Sequence, residues 1–311
     1  MEEIAYFFKK LAMERRAFLR SSGLVAAGAG TLGLRDQDMP VRPVIRSLTP
    51  ALNAYSFNRW LLDGKMDLDG LFRFAHDTGF PAVDLTAYYI PGYPDVPDDR
   101  ILFGIRRKAF HAGLALSGTG IRNDFTLEDP REYRSQIELA KRWIVAASKL
   151  GVPHARLFDG KGEEVTDRER TKARVIEAFR ECAAFSEGYG VMVNFQNHFD
   201  FIRETTEVIE VMEGVRSEWF GLMLDIGSVE GPDPYSAIEK LIPYAATWQV
   251  KEEVRMNGGR VPTDFGRLME IVHRHSYRGY FPLETLGEGD PREKVRKLYD
   301  RFNGHMVSSH R

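Results

Sequence analysis

The chain of 311 residues is 43% hydrophobic and 28% charged, enough apolar material for a large core and without the bias of a disordered or fibrous protein. Its 43 Lys and Arg nearly balance 45 Asp and Glu, a formal charge of −2, so it offers no strong field for polyanions and nucleic-acid binding is not expected. The single cysteine, Cys182, excludes an intramolecular disulfide framework and a multi-cysteine zinc site.

A basic stretch holding Arg15, Arg16 and Arg20 leads into the small-residue apolar run Gly23 to Leu34. That run is too short for the roughly 20 residues of a spanning helix, so no stable membrane span is expected. The string Glu14-Arg15-Arg16-Ala17-Phe18-Leu19-Arg20 resembles a twin-arginine export signal. Residues 1–47 therefore read as a signal and linker, with a periplasmic location expected. The alternative is an ordinary amphipathic N-terminal helix on a cytoplasmic protein.

From about Leu48, short β-type runs alternate with longer amphipathic stretches, the pattern of a parallel sheet with crossover helices. Eight strands are predicted: Leu52 to Phe57, Ala82 to Tyr88, Leu114 to Thr119, His154 to Phe158, Val191 to His198, Gly221 to Asp225, Thr247 to Lys251 and Tyr280 to Glu284. Between the third and fourth, apolar Ile137, Ala140, Trp143, Ile144 and Ala147 recur at helical spacing over Arg131 to Lys149. Gly151 follows as the expected C-terminal cap. Eight β/α units over residues 48–311 match one (β/α)₈ TIM barrel, and no Gly-rich dinucleotide fingerprint follows the first strand.

In such a barrel, functional side chains gather at the C-terminal ends of the strands. Gln196, Asp225, Gln249 and Glu284 end strands five to eight, and all four are expected to share one mouth. Strand alternation adds His198 beside Gln196 and Lys251 beside Gln249. Two carboxylates and two amide oxygens make a hard ligand set suited to Mn²⁺ or Mg²⁺ rather than zinc. The bland alternative is a set of polar strand ends bonding to loops.

Several segments carry a resemblance: Val83-Asp84-Leu85-Thr86-Ala87-Tyr88-Tyr89 with Pro91-Gly92-Tyr93-Pro94, Ser117 to Phe125, Gln196-Asn197-His198, Asp225-Ile226-Gly227, Trp248-Gln249-Val250-Lys251-Glu252, and Tyr277-Arg278-Gly279-Tyr280 leading to Glu284-Thr285-Leu286. Together they resemble the sugar phosphate isomerase/epimerase family of xylose-isomerase-like barrels, in a subgroup with an export signal. The resemblance implies a divalent metal held by Glu, Asp, His and Glu, with the two glutamates serving as acid and base on opposite faces of an enediolate. Here the matching positions read Gln196, Asp225, Gln249 and Glu284. An amide oxygen ligates a hard metal, but Gln196 cannot accept and return a proton.

What remains is proton abstraction next to a sugar carbonyl, with a metal or Lys251 stabilising the enolate and His198 or Glu284 exchanging the proton. The implied activity is sugar or keto-sugar isomerisation or epimerisation on a small carbohydrate. The alternatives are a 3-keto-sugar lyase or hydratase and a non-catalytic carbohydrate-binding barrel. Arg122, Asn123, Tyr88, Arg156, Asn53 and Glu252 are the substrate-binding candidates. Asp124 stands with Arg122 and Asn123 in a loop where a stabilising network is an equal reading. Cys182 reads as a buried small hydrophobe, and His305 and His310 as part of a terminal tail.

Overall fold

Computed as a structural model from the sequence, the structure describes residues 48–163 and 165–308; the expected signal over 1–47 lies outside them. Eight parallel strands close into a barrel: β1 (Thr49–Asn53), β2 (Ala82–Thr86), β3 (Ala115–Gly120), β4 (His154–Leu157), β5 (Met192–Gln196), β6 (Phe220–Asp225), β7 (Ala245–Lys251) and, after a hairpin, β10 (Tyr280–Glu284). The circle runs β1-β10-β7-β6-β5-β4-β3-β2, so each strand pairs with its neighbour in sequence and β10 seals the barrel against β1. This is the (β/α)₈ architecture expected from the eight alternating units.

Strand ends differ from expectation where side chains intervene. β1 stops at Asn53 because its Oδ1 accepts the Tyr55 N–H at 2.9 Å, turning Ala54–Phe57 into a 3₁₀ turn. β5 stops at Gln196 because the next residue, Asn197, pairs its side chain with the Asp225 main chain, donating to the carbonyl at 3.0 Å and accepting from the N–H at 3.0 Å. The hairpin β8 (Glu253–Met256) and β9 (Gly259–Pro262), antiparallel over the mouth, was not predicted. A four-residue strand with one buried side chain leaves too short a periodicity to read.

The crossover helices bury the faces that helical spacing predicts. They are α1 (Asn58–Leu62), α2 (Leu68–Thr78), α3 (Asp99–His111), α4 (Pro130–Leu150), α5 (Arg168–Glu187), α6 (Thr205–Val215), α7 (Pro234–Leu241), α8 (Phe265–Arg274) and α9 (Pro291–Ser308). α4 starts where Asp129 accepts the N–H groups of Arg131 and Glu132, with Pro130 in the first turn, and ends at Gly151 with φ 73°. The outward faces of the strands meet these helices: Phe195 packs on Phe179 of α5 at 5.2 Å and Phe281 on Phe302 of α9 at 5.5 Å. Cys182 is fully buried in α5 and burial pushes its thiol up to about 12, an inert core position as expected. His305 is a correction: it belongs to α9, not to a tail, because Val295, Leu298 and Phe302 recur at helical spacing and bury that helix.

Candidate active site

At the C-terminal ends of the strands lies a cavity of about 330 Å³, lined among others by Asn53, Asp84, Tyr88, Arg122, Arg156, Gln196, His198, Gln249, Lys251 and Glu284. It shares His198, Lys251 and Glu284 with a second recess of about 270 Å³ that the β8–β9 hairpin also lines. Strand alternation sends Gln196, Gln249, Lys251 and Glu284 to one mouth, with Asp225 fully buried beneath it.

Lys251 is the centre of this arrangement. Its Nζ donates to Glu284 Oε2 and lies 3.5 Å from Asp225 Oδ2. Burial works against the ammonium, but Asp225 and Glu284 outweigh it and raise its pKa, so the group stays charged. Gln196 donates its Nε2–H to Asp225 Oδ2 at 2.9 Å, and the Gly227 N–H donates to Asp225 Oδ1 at 3.0 Å. Both oxygens of Asp225 are thus engaged from within the protein.

A resident divalent ion needs several oxygen donors turned to one point. Here an ammonium lies between the two carboxylates, and Gln196 turns its N–H, not its oxygen, to the shared centre. Among the described residues no group of three or more His, Cys, Asp or Glu gathers as a metal cluster. The expected ligands Gln196, Asp225, Gln249 and Glu284 do meet at one mouth, but their donor set, with Lys251 at its centre, does not fit Mn²⁺ or Mg²⁺.

The substrate-binding candidates divide. Arg156 lines the cavity with its guanidinium 4.1 Å from the Phe158 ring centroid, donating to the Ile121 carbonyl at 2.5 Å. Tyr88 lies beside it, its hydroxyl 3.4 Å from Arg156. Arg122 reaches the cavity and pairs with Asp200 at 3.8 Å. His198 sets Nδ1 3.3 Å from Asp200 Oδ2 and edges onto Phe158. Glu252 lies in the second recess, 3.3 Å from Lys294. Asn53 spends its oxygen on the turn after β1 while facing the cavity.

Asn123 donates its amide N–H to the Phe158 carbonyl at 2.7 Å and accepts the Phe158 N–H at 2.9 Å, the loop-stabilising contact that was the equal reading for this residue. Asp124 likewise accepts from Thr126 and the Lys161 N–H. Of the tyrosines, Tyr89 donates to Asn58 and Tyr93 accepts the Arg122 N–H, anchoring the rim.

Sequence reasoning missed Asp84 as a site residue. It is buried, lines the cavity floor, and stands 4.0 Å from His154 Nε2. The available signal was a charged residue inside the apolar run Ala82-Val83-Asp84-Leu85, where a structural aspartate has no obvious partner. Asn197 is the tie between β5 and β6, a role that its place in the run Gln196-Asn197-His198 does not signal.

Residues 72–303 match the xylose isomerase-like TIM barrel family. No match is found among curated proteins. Among solved structures, D-psicose 3-epimerase from Clostridium cellulolyticum H10 superposes with a TM-score of 0.69 at 16% identity, covering 83% of this chain and 99% of that one. A 3-keto-D-glucoside 4-epimerase from E. coli gives 0.64 at 12%, covering 83% and 100%. A probable 3-DHS dehydratase from Bacillus anthracis gives 0.61 at 15%, covering 85% and 99%. At these identities the likeness is one of fold, and with the match over residues 72–303 it leads to one conclusion: the chain belongs to the xylose isomerase-like TIM barrel family.

Proposed function

We propose that the protein is a sugar or keto-sugar isomerase or epimerase that moves a proton next to a carbonyl, with the Lys251 ammonium doing the electrostatic work that a metal does elsewhere. The observation that carries this reading is Lys251, held between Asp225 and Glu284 at the cavity wall. A carbonyl oxygen placed against a buried ammonium gains most when it becomes an enediolate, because the charge develops where a preorganised cation already points. Glu284, on the cavity side of that pair, is the carboxylate that takes the proton. Gln196, Gln249 and Asn53 offer neutral hydrogen-bonding groups for hydroxyls, and Arg156 with Phe158 and Tyr88 forms one wall. The cavity sits at the small end of the roughly 300–1,000 Å³ common for ligand sites, which suits a monosaccharide.

The test is incubation of unphosphorylated ketoses in heavy water with EDTA present. Incorporation of solvent deuterium at carbon without loss of sugar supports the reading, and Glu284→Gln abolishes it. Unsaturated product moves the assignment to elimination, for which the absence of a carboxyl at Gln196 speaks. Saturable binding without exchange moves it to a carbohydrate-binding barrel. Export on Arg15 and Arg16 belongs to the same proposal and is checked by fractionating cells that express wild type and an Arg15→Lys, Arg16→Lys variant.

A further inference from the structure

Below the mouth, the barrel interior carries a polar layer that the Lys251-centred chemistry leaves unused. Asp84 on β2, His154 on β4, Asn194 on β5 and Thr247 on β7 share strand parity with Thr86, Arg156, Gln196 and Gln249, each of which lines the cavity. All four therefore point inward, and all four are buried. Asp84 Oδ2, both ring nitrogens of His154, both amide atoms of Asn194 and Thr247 Oγ1 have no hydrogen-bond partner among the described residues. Buried polar atoms are nearly always bonded, so a layer of them marks a place for water or for a ligand group.

Within that layer Asp84 and His154 meet across β3 because residue 118 is glycine. A Cβ at Gly118 would lie 2.7 Å from Asp84 Oδ2 and 2.1 Å from His154 Cε1, so any side chain there would separate them. Asp84 reaches the cavity floor, two strands from Glu284 with Asn53 on β1 between. Backbones two strands apart stand about 10 Å from each other, and two carboxyl side chains converging from that separation can bracket one carbon.

We propose that Asp84, which faces His154 across Gly118, is the second proton-transfer group of this site, supplying from β2 the carboxyl that Gln196 does not supply from β5. The proposal rests on the sugar reading above. Glu284 takes the proton from the carbon beside the carbonyl. The C–H electron pair becomes the C–C π bond, and the carbonyl π pair moves onto oxygen facing Lys251. The Asp84 carboxyl then delivers its proton to the other face of that carbon as the carbonyl reforms. Glu284 gives up and Asp84 regains a proton through water, which returns the site to its starting state.

The groups facing Asp84 suit it to this task. Burial pushes its carboxyl up to about 6, with Arg156 opposing and Glu284 adding to the rise. The same burial, joined by Arg156, pushes His154 down to about 4. The imidazole is then neutral wherever Asp84 titrates and does not lock it as a carboxylate. A proton-transfer group works best when it titrates near the working pH.

The experiment compares wild type, Asp84→Asn, His154→Gln and Glu284→Gln with D-psicose, D-tagatose and D-fructose in heavy water, beside a carboxyl-carbon NMR titration of Asp84 in the resting protein. With Asp84→Asn, epimer formation is expected to fall about 100-fold or more, while deuterium still enters recovered starting ketose through Glu284 for the epimer whose C–H faces that residue and not for the opposite epimer. With His154→Gln, the alkaline limb of kcat/KM, set by loss of the Asp84 proton, moves but persists. Epimer formation by Asp84→Asn at the wild-type rate overturns the proposal. Wild type inert on all three ketoses counts against the sugar reading, and the titration then decides on Asp84. A midpoint near 6 that moves in His154→Gln supports the pair; a midpoint in the ordinary aspartate range overturns it.

Discussion

Gly227 lies against the stem of Lys251 so closely that a Cβ there would sit 2.6 Å from Lys251 Cγ and 3.3 Å from Cδ. The turn that presents Gly227 is fixed by its own N–H to Asp225 Oδ1 at 3.0 Å. One carboxylate thus holds both the backbone that flanks the lysine and, on its other oxygen, the ammonium. Gly227→Ala should push the stem aside and pull the ammonium from its place between Asp225 and Glu284. The expected cost is about 1–3 kcal/mol of stability, the usual range for overpacking, with at least tenfold slower deuterium exchange into ketose. Urea unfolding and the exchange rate measured together check it, and a variant with the wild-type rate would detach the lysine's position from the activity.

Lys251 itself gives a sharper test, because its charge compensates two buried carboxylates whose side chains are 0% and 2% exposed. Lys251→Met keeps the stem and removes the charge, leaving Asp225 and Glu284 uncompensated. Breaking a buried pair in this way costs about 3–5 kcal/mol. Adding Glu284→Gln to Lys251→Met removes one of the orphaned charges and should recover a large part of that loss. A double-mutant cycle by chemical denaturation measures the coupling, and additive losses would show that the pair is not coupled as drawn.

How far the sequence could be read follows from which forces are local. The eight strands and their order were legible because a buried parallel strand needs a nearly continuous apolar run and a barrel needs eight of them. The convergence of Gln196, Gln249, Lys251 and Glu284 followed from strand parity alone. Three features were not legible. The Gln196 amide was expected to turn its oxygen toward a cation, and its orientation is decided by Asp225, a partner 29 positions away. Asn123 was open between substrate and a loop network, and its bond to the Phe158 backbone spans 35 positions. Asp84 matters through His154, and only the missing side chain at Gly118 lets them approach. Each is a contact that a side chain makes with a different β/α unit, and periodicity carries no signal for those.

The misfit between the donor set and a divalent ion has a constructive counterpart. Gln196→Glu with Gln249→His restores a carboxylate and an imidazole at the mouth, and Lys251→Ala vacates the space between Asp225 and Glu284. The triple variant should bind Mn²⁺ with a clear calorimetric signal, since ligand charge sets affinity for hard cations. Wild type titrated under the same conditions should show at least tenfold weaker binding. Equal affinity of the two proteins would mean that Lys251 moves aside for metal, and the lysine-centred mechanism would fall with it.

Asp159 follows β4 and is fully buried, with Oδ2 accepting the Ile202 N–H and Oδ1 without a hydrogen-bond partner among the described residues. Burial pushes its carboxyl up to about 8, the Ile202 N–H opposing and Asp200 adding to the rise. The folded protein therefore holds this proton over a pH range in which the unfolded chain, at the ordinary value of 3.8, has released it. The resulting stabilisation is complete below about pH 4 and is lost as pH rises towards 8, by up to about 1.4 kcal/mol per pH unit. Asp84 acts in the same direction over the narrower span up to about 6. Asp159→Asn keeps the shape and an oxygen for the Ile202 N–H but cannot ionise. Unfolding free energies at pH 5 and 7.5 should fall more steeply for wild type than for the variant, with a difference of up to about 3 kcal/mol over that interval. Every other titrating group is common to both proteins, so the difference isolates Asp159. Parallel profiles would mean that Asp159 is ionised in the fold and that its second oxygen has found a partner, such as an ordered water, beneath the mouth of the barrel.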